Sequence, residues 1–248
     1  MKSSLLKILS CLIITQSIVL AGKMSIRDKD SINWFDHYYK SIKYCTSVKT
    51  HKSLFLSGVV LIPVSFLLDD YMQDYASTKG FYPDRISQIG DIFGYRMGYY
   101  AGIAAIGITG MTKHQKLPKT LAQMQLVAES VLTSAAVTEL IKKISGRQRP
   151  NGNGDKSFPS GHTSGSFALA AGFHEIYGNK IGTAAYVLAA FVGSSRINDN
   201  KHYLSDVVTG ALIGTIIGRS FAKQYRYEWS VAQTNLSPCT TFNISFSI

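Results

Sequence analysis

Three short blocks between Lys142 and Asp206 carry the residue types that chemistry on phosphate requires. They are Lys142-Lys-Ile-Ser-Gly-Arg-Gln-Arg-Pro150, Phe158-Pro-Ser-Gly-His-Thr163 and Ser195-Arg-Ile-Asn-Asp-Asn-Lys-His-Tyr-Leu-Ser-Asp206. A phosphoryl group in transfer spreads negative charge over three equatorial oxygens, so cations and backbone N–H groups must surround it. The blocks supply both, together with two histidines and a carboxylate, and therefore predict a phosphoryl-transfer site.

Each of these residues has an expected role. His202 and Asp206 stand four residues apart, so on a helix the carboxylate can hold one imidazole nitrogen while the other attacks phosphorus. We expect His162 to protonate the leaving oxygen and later to activate water. The expected phosphate ligands are Lys142, Arg149, Ser160, Gly161 and Arg196.

Each block alone also has an ordinary structural explanation. Cations at a helix end complement the helix dipole, the Pro-Ser-Gly-His turn can be a simple helix cap, and His202 with Asp206 can form a local hydrogen bond. Their combination in one short region favours catalysis. The other histidines lack partners at metal-ligand spacing and are interpreted as structural or surface residues: His37, His51, His114 and His174. No metal or cofactor is expected.

The pattern K-x6-R-P, P-S-G-H and S-R-x5-H-x3-D resembles, in every fixed position, the type 2 phosphatidic acid phosphatase (PAP2) family, which includes bacterial nonspecific acid phosphatases and vanadium-dependent haloperoxidases. The resemblance covers residues 121–218. It implies an all-α core with the site at helix ends and a phosphohistidine at His202. It also implies that Asp206 orients this histidine and that His162 is the general acid. The phosphate ligands that it implies are Lys142, Arg149, Ser160, Gly161 and Arg196.

Two departures from the family pattern bear on the substrate. Only residues 151–158 separate Pro150 from Pro159, which leaves little room for a substrate-shaping insertion, so the 69–91 segment is expected to set specificity. Lys156-Ser-Phe158 stands where secreted acid phosphatases usually carry Gly-Ser-Tyr, which weakens that assignment. Haloperoxidases are much longer chains, and peroxidase activity is not expected.

The elements that position the blocks are predicted to be helical. The apolar segments 54–68, 97–112, 121–141, 181–193 and 207–218 are short or interrupted, below the roughly 20 residues that spanning a membrane requires. We predict an all-α fold, a compact bundle of about six core helices, and leave open whether the bundle lies in a membrane. Residues 69–91 are predicted to be a solvated loop with helix caps, and the alternation in 241–248 indicates a short C-terminal strand.

The N-terminus predicts export. Residues 1–21 combine Lys2 and Lys7 with an apolar run and small residues near a cleavage site, as a bacterial secretory signal does. A retained anchoring helix is the alternative. Residues 22–248 are then predicted to form a single domain with its motif core at 121–218. In an oxidising envelope Cys45 and Cys239 could form a disulfide or remain as two thiols, and the sequence leaves both open.

Composition narrows the function further. The 248 residues are 46% hydrophobic and 17% charged, which excludes a disordered polar protein, and the net charge of +11 attracts phosphates. The cations are spread over the whole chain without a nucleic-acid-binding motif, so nucleic acid is not an expected partner.

Three functions remain. The leading hypothesis is a metal-independent phosphatase on the periplasmic side of a bacterial cell envelope, with the membrane surface as partner. Its substrates would be phosphate esters of lipids such as phosphatidate, phosphatidylglycerophosphate, isoprenyl diphosphate or lipid A. The alternatives are a soluble periplasmic nonspecific acid phosphatase acting on small phosphomonoesters and a noncatalytic anion-binding protein. The sequence does not indicate the oligomeric state.

Overall fold

The computed structural model describes residues 34–94 and 96–235. These residues form nine α-helices and no strand, which confirms the predicted all-α class. The helices are α1 (Trp34–Cys45), α2 (Lys52–Leu67), α3 (Asp69–Thr78), α4 (Asp84–Gly94), α5 (Arg96–Thr112), α6 (Leu117–Ser145), α7 (Gly161–Tyr177), α8 (Asn179–Asn198) and α9 (Leu204–Asn235). The predicted signal at 1–21, Cys239 and the predicted strand at 241–248 lie outside the described residues.

Helix α7 lies at the centre of the bundle and packs against α6, α8 and α9. One group of buried side chains joins α5, α6 and α7, and consists of Ile106, Val127, Val131 and Ala168. A second group joins α6 and α9, and consists of Leu126, Ile217, Phe221 and Ala222. Both groups include residues of α6, so this helix connects the two parts of the core.

Glycines allow the backbone of α9 to lie directly against the backbone of α7. A Cβ built on Gly214 would lie 2.0 Å from the carbonyl oxygen of Ser164, and one on Gly210 would lie 2.6 Å from that of Ser160. Backbone atoms cannot yield as a flexible side chain can, so larger residues at these positions would push the helices apart. The start of α7 is therefore held against α9 by residues without side chains.

We expect Gly214→Ala to lower the free energy of unfolding by about 2 kcal/mol, because the added methyl group collides with the α7 backbone. The matched control is Gly107→Ala, where the Cβ would meet only the Met124 sulfur at 4.0 Å. Alanine should be neutral or slightly stabilising there, since it favours helix over glycine. Thermal unfolding in detergent compares the two, and equal midpoints would contradict the packing argument.

Within residues 34–94 and 96–235, two helices are long and apolar enough to cross a membrane. They span Leu117–Ser145 and Leu204–Ser230, each with mean hydropathy 1.2, and α2 with α3, bent by 55°, could form a third span. The expectation that every apolar segment is too short was wrong, because α6 continues through Glu129. This carboxylate is buried and paired with His37 at 2.9 Å, so it does not interrupt the helix.

The prediction of a solvated loop over 69–91 was also wrong. Helices α3 and α4 occupy all of this segment except residues 79–83. Asp69 and Asp70 begin α3, where carboxylates complement the positive end of the helix dipole. Asp69 is only 3% exposed and points into the bundle, so the acidic cluster is not simply solvated.

Candidate active site

The three sequence blocks meet where four helix ends converge. Lys142 lies in the last turn of α6, Ser160 caps α7, Arg196 lies in the last turn of α8 and Asp206 lies in the first turn of α9. Charge interactions connect His202 with Lys142 and Arg149, and connect His162 with both His202 and Arg196. All eight predicted site residues thus lie in one region, at one end of the bundle.

The predicted pair His202 and Asp206 is in contact and buried. The Nδ1 atom of His202 lies 3.4 Å from Oδ2 of Asp206, and the two residues are 3% and 0% exposed. Burial, reinforced by Lys142 and Arg149, lowers the pKa of His202, although Asp206 acts in the opposite direction. The neutral imidazole is the nucleophilic form, and donation from Nδ1 to the carboxylate leaves the lone pair on Nε2.

Asp206 is held from several directions. Its Oδ1 accepts a hydrogen bond from Arg147 at 2.9 Å, while Oδ2 accepts from the backbone N–H of Tyr203 at 2.9 Å and from the Ser157 hydroxyl. Its own carbonyl accepts from the N–H of Ser160 at 2.9 Å. The carboxylate that faces His202 therefore has a fixed orientation.

Arg147 and Asp69 form an ion-pair network behind the site that the sequence did not predict. Arg147 donates to Asp69 at 2.7 Å and to Ser205 at 2.7 Å, and its guanidinium lies 4.0 Å from the centre of the Tyr203 ring. Asp69 also accepts from the backbone N–H of Ser205 at 2.8 Å. Arg147 belongs to the first block, and only its tertiary partners distinguish it from a cation that complements the helix dipole.

The turn before α7 has the form of an anion site. The Ser160 hydroxyl accepts from the Thr163 hydroxyl at 2.9 Å and from its backbone N–H at 3.5 Å, so Ser160 is the N-cap. The N–H groups of the first turn, including those of Gly161 and His162, lie at the positive end of a 17-residue helix. The Lys142 side chain is close to this turn, with Cε 3.8 Å from the position of a Cβ on Gly161.

On the other side of the site, Asp91 of α4 forms ion pairs with the cations. It contacts Arg196, lies 3.3 Å from Nε2 of His162 and lies 3.6 Å from the Lys201 ammonium. Arg196 is fully buried and also pairs with Asp199 at 3.1 Å. Asp91 lies outside the three blocks, and no local signal in the sequence marks it.

These charges set the protonation of the second histidine. Burial and the neighbouring Arg196 lower the pKa of His162 to about 4, while Asp91 acts in the opposite direction. Burial favours the neutral form of Asp91, but Arg196, Lys201 and His162 outweigh it and hold the pKa of Asp91 below its usual value. The carboxylate therefore stays ionised beside His162.

Residues 124–230 match the family model described as the PAP2 superfamily. Over these residues the chain is similar to that superfamily. The match includes all the predicted site residues and helices α7 and α8, whereas Asp69 and Asp91 precede it.

Two curated proteins are similar to parts of the chain. The chain is 46% identical to lipid A 1-phosphatase of Porphyromonas gingivalis over 29% of this chain and 17% of that protein. It is 31% identical to lipid phosphate phosphatase 1 of Arabidopsis thaliana over 39% of this chain and 42% of that protein. The chain thus spans less than half the length of these two relatives.

The fold also has a counterpart among solved structures. A transmembrane PAP2 type phosphatidylglycerolphosphate phosphatase from Bacillus subtilis superposes with a TM-score of 0.51 at 19% identity, covering 82% of this chain and 99% of that chain. At this identity the likeness concerns the fold. Membrane association of the chain is indicated by the two apolar helices of the described residues that are long enough to cross a membrane.

Proposed function

We propose that this chain is a metal-independent phosphatase of the bacterial cell envelope, which hydrolyses phosphate esters of membrane lipids through a phosphohistidine on His202. The observation that carries the proposal is the buried contact between His202 and Asp206 beside Lys142, Arg149 and the start of α7. Names of relatives such as lipid A 1-phosphatase and lipid phosphate phosphatase support the lipid class of substrate.

In the first step Nε2 of His202 attacks phosphorus and the bond from phosphorus to the ester oxygen breaks. Asp206 holds the imidazole through Nδ1 and stabilises the positive charge that develops on the ring. The negative charge of the bound phosphate favours the protonated form of His162, whose pKa is about 4 in the protein without substrate. His162 then gives this proton to the leaving oxygen, so the lipid leaves as an alcohol, or as a monophosphate if the substrate is a diphosphate. Lys142, Arg149, Arg196 and the N–H groups of the Ser160-Gly161 turn stabilise the equatorial oxygens.

In the second step His162, now neutral, takes a proton from water as the water oxygen attacks phosphorus. The bond between phosphorus and Nε2 breaks, and His202 returns to its neutral form. Inorganic phosphate leaves, and His162 again carries the proton that the next cycle requires. His162 therefore gives one proton and takes one back in each cycle, and both histidines return to their starting forms.

Apolar surface at the edge of the site favours a lipid over a soluble ester. Phe66, near the end of α2, packs on Phe158 with 5.7 Å between ring centres, and the Arg147 guanidinium lies 5.1 Å from the Phe66 ring. Along α2 the large apolar side chains are exposed: Leu56, Val59, Val60, Leu61, Val64, Phe66 and Leu67. Acyl or prenyl chains lying against α2 would bring a phosphate to the helix ends. The soluble periplasmic acid phosphatase is the alternative.

The test is release of inorganic phosphate from matched lipid and soluble phosphate esters by the purified protein in detergent. We expect lipid monophosphates or isoprenyl diphosphates to give a kcat/KM at least about 10-fold above that of p-nitrophenyl phosphate, with activity unchanged by EDTA. Vanadate should inhibit, because its geometry imitates the transferring group. Preference for the soluble ester would support the alternative, and loss of activity in EDTA would contradict the metal-free chemistry.

The pH dependence of the reaction should depend on Asp91. The negative charge of Asp91 raises the pKa of His162, so Asp91→Asn should lower it further. A general acid loses its proton as pH rises through its pKa, so the fall in kcat/KM at higher pH should begin at lower pH in the variant. The matched control is Asp84→Asn, an exposed acid at the start of the same helix. Identical profiles for wild type and Asp91→Asn would contradict this role.

A further inference from the structure

A cavity of about 270 Å³ lies at the end of α7 opposite the candidate active site, beside the second half of α9. His174 lines it from the last turn of α7, and Arg219 lines it from the middle of α9. At 1.5 Å per residue, the helix rise from Gly161 to His174 and from Asp206 to Arg219 places the cavity about 20 Å from the catalytic end. The cavity is thus separate from the catalytic residues.

The cavity carries more positive than negative charge. Arg226 is balanced by Glu175, to which it donates at 2.8 Å. By contrast, no carboxylate of the described residues lies within 4 Å of the charged groups of Arg219 or Lys223. Lys223 donates to the Thr50 hydroxyl at 3.2 Å and lies 4.4 Å from the centre of the Tyr44 ring. Two cations at this end therefore have no carboxylate partner.

An uncharged imidazole and the start of a helix lie among these cations. The imidazole of His51 is buried at the cavity wall, with Nε2 2.8 Å from the Ser220 hydroxyl. Burial, together with Arg219 and Lys223, lowers the pKa of His51. His51 also precedes α2, whose first turn contains no acidic residue and receives no side-chain cap. The first turn of α2 thus offers backbone hydrogen bonds to an anion, and Glu175, a carboxylate that lines the cavity, is paired with Arg226.

The residues at this end of the bundle are of the types that contact a membrane surface. Lysines are frequent in and beside the connections before α2 and α6: Lys43, Lys49, Lys52, Lys113, Lys116 and Lys119. Tyr225 and Trp229 stack with 6.4 Å between ring centres, and Lys119 lies 5.9 Å from the Trp229 ring. Cations and amphipathic aromatic residues at the end of apolar helices are typical of contact with anionic headgroups.

We propose that this cavity binds the phosphodiester headgroup of an anionic phospholipid, at a site separate from the catalytic one. Arg219 and Lys223 neutralise the phosphate, and the backbone N–H groups of the first turn of α2 donate hydrogen bonds to it. The acyl chains lie against α2, where Leu54 lines the cavity and the apolar side chains that follow are exposed. This site is independent of the proposed catalytic function, because none of its residues belongs to the three blocks.

The experiment compares full-length protein in nanodiscs of phosphatidylcholine alone and with a titrated fraction of phosphatidylglycerol, with the thermal unfolding midpoint as readout. We expect phosphatidylglycerol to bind the wild type at least about 10-fold more tightly than Arg219→Gln/Lys223→Gln, since each cation near an anionic surface contributes to affinity. The matched control is Lys113→Gln/Lys116→Gln, which removes the same charge from another connection at this end and should behave as wild type. Lys223→Gln alone, at an exposed residue, tests the site if the double variant does not fold.

Each other outcome contradicts the proposal. If the two double variants lose the same affinity for phosphatidylglycerol, the lipid is attracted by the surface charge in general. If neither variant loses affinity, phosphatidylglycerol binds elsewhere. Inorganic phosphate, titrated in phosphatidylcholine nanodiscs, should bind weakly, and this binding should require Arg219. If it binds as tightly as phosphatidylglycerol, the site takes a free anion and the lipid assignment is wrong.

Discussion

His202→Ala is expected to lower kcat for phosphate release by at least about 10⁴-fold, because it removes the atom that becomes bonded to phosphorus. The cations and the start of α7 remain in the variant, so some binding of phosphate should remain. Rapid quenching with a substrate labelled on phosphorus should trap an acid-labile adduct on the wild type and none on the variant. The two readouts together assign the covalent step to this side chain.

The control for this variant is His114→Ala. His114 is exposed in the connection after α5, far along the chain from the three blocks, and its removal should leave kcat unchanged. Vanadate inhibition of the wild type, compared with vanadate binding by His202→Ala, reports whether the basic site remains folded. If His202→Ala turns over at more than a hundredth of the wild-type rate, His202 is not the nucleophile and the proposed mechanism fails.

Much of the site could be predicted because its residues carry local signals. Ser160 before a glycine is a helix-cap sequence, Lys142 and Pro150 mark a helix end, and the four-residue spacing of His202 and Asp206 places both on one helical face. Short-range backbone geometry fixes these features. The chemistry of phosphate then requires the blocks to converge, as they do at the ends of α6, α7, α8 and α9.

The remaining parts of the site depend on tertiary packing. Asp69 and Asp91 belong to α3 and α4, far from the blocks in sequence, and their spacing carries no sign that they contact Arg147 and Arg196. The length of α6 was underestimated for the same reason: Glu129 interrupts an apolar run, and its partner His37 lies 92 residues earlier. A carboxylate can lie inside a helical bundle only when a distant residue compensates it, and a single sequence does not show that residue.

The new acids change the electrostatic picture of the site. The sequence predicted a basic site with one orienting carboxylate, whereas the structure adds Asp69 on one side and Asp91 on the other. Arg147 forms ion pairs with both Asp69 and Asp206, so it positions the Asp206 carboxylate and is not counted among the proposed phosphate ligands. Arg196 and Lys201 are shared with Asp91, and substrate oxygens must compete with that carboxylate for them. Within the set of Lys142, Arg147, Arg149, Arg196 and Lys201, the two cations without a carboxylate of the described residues within 4 Å are Lys142 and Arg149.

Asp206→Asn should lower kcat by roughly 10³-fold or more while leaving the protein folded, because an amide cannot stabilise the imidazolium and can favour the wrong tautomer of His202. The substitution also replaces the acceptor of Arg147, so part of any effect could come from the ion-pair network. Asp69→Asn separates the two contributions. It disturbs the same Arg147 guanidinium and the same Ser205 but does not contact His202.

Both variants should lose stability by a similar amount, about 2 kcal/mol, since each leaves Arg147 with one carboxylate instead of two. Their kinetics should differ: Asp69→Asn should keep kcat within about 10-fold of the wild type and still form the phosphohistidine adduct. Thermal unfolding and rapid-quench kinetics on the same preparations provide the comparison. If Asp69→Asn loses as much kcat as Asp206→Asn at equal stability, the decisive group is the Arg147 network, and direct orientation of His202 by Asp206 is wrong.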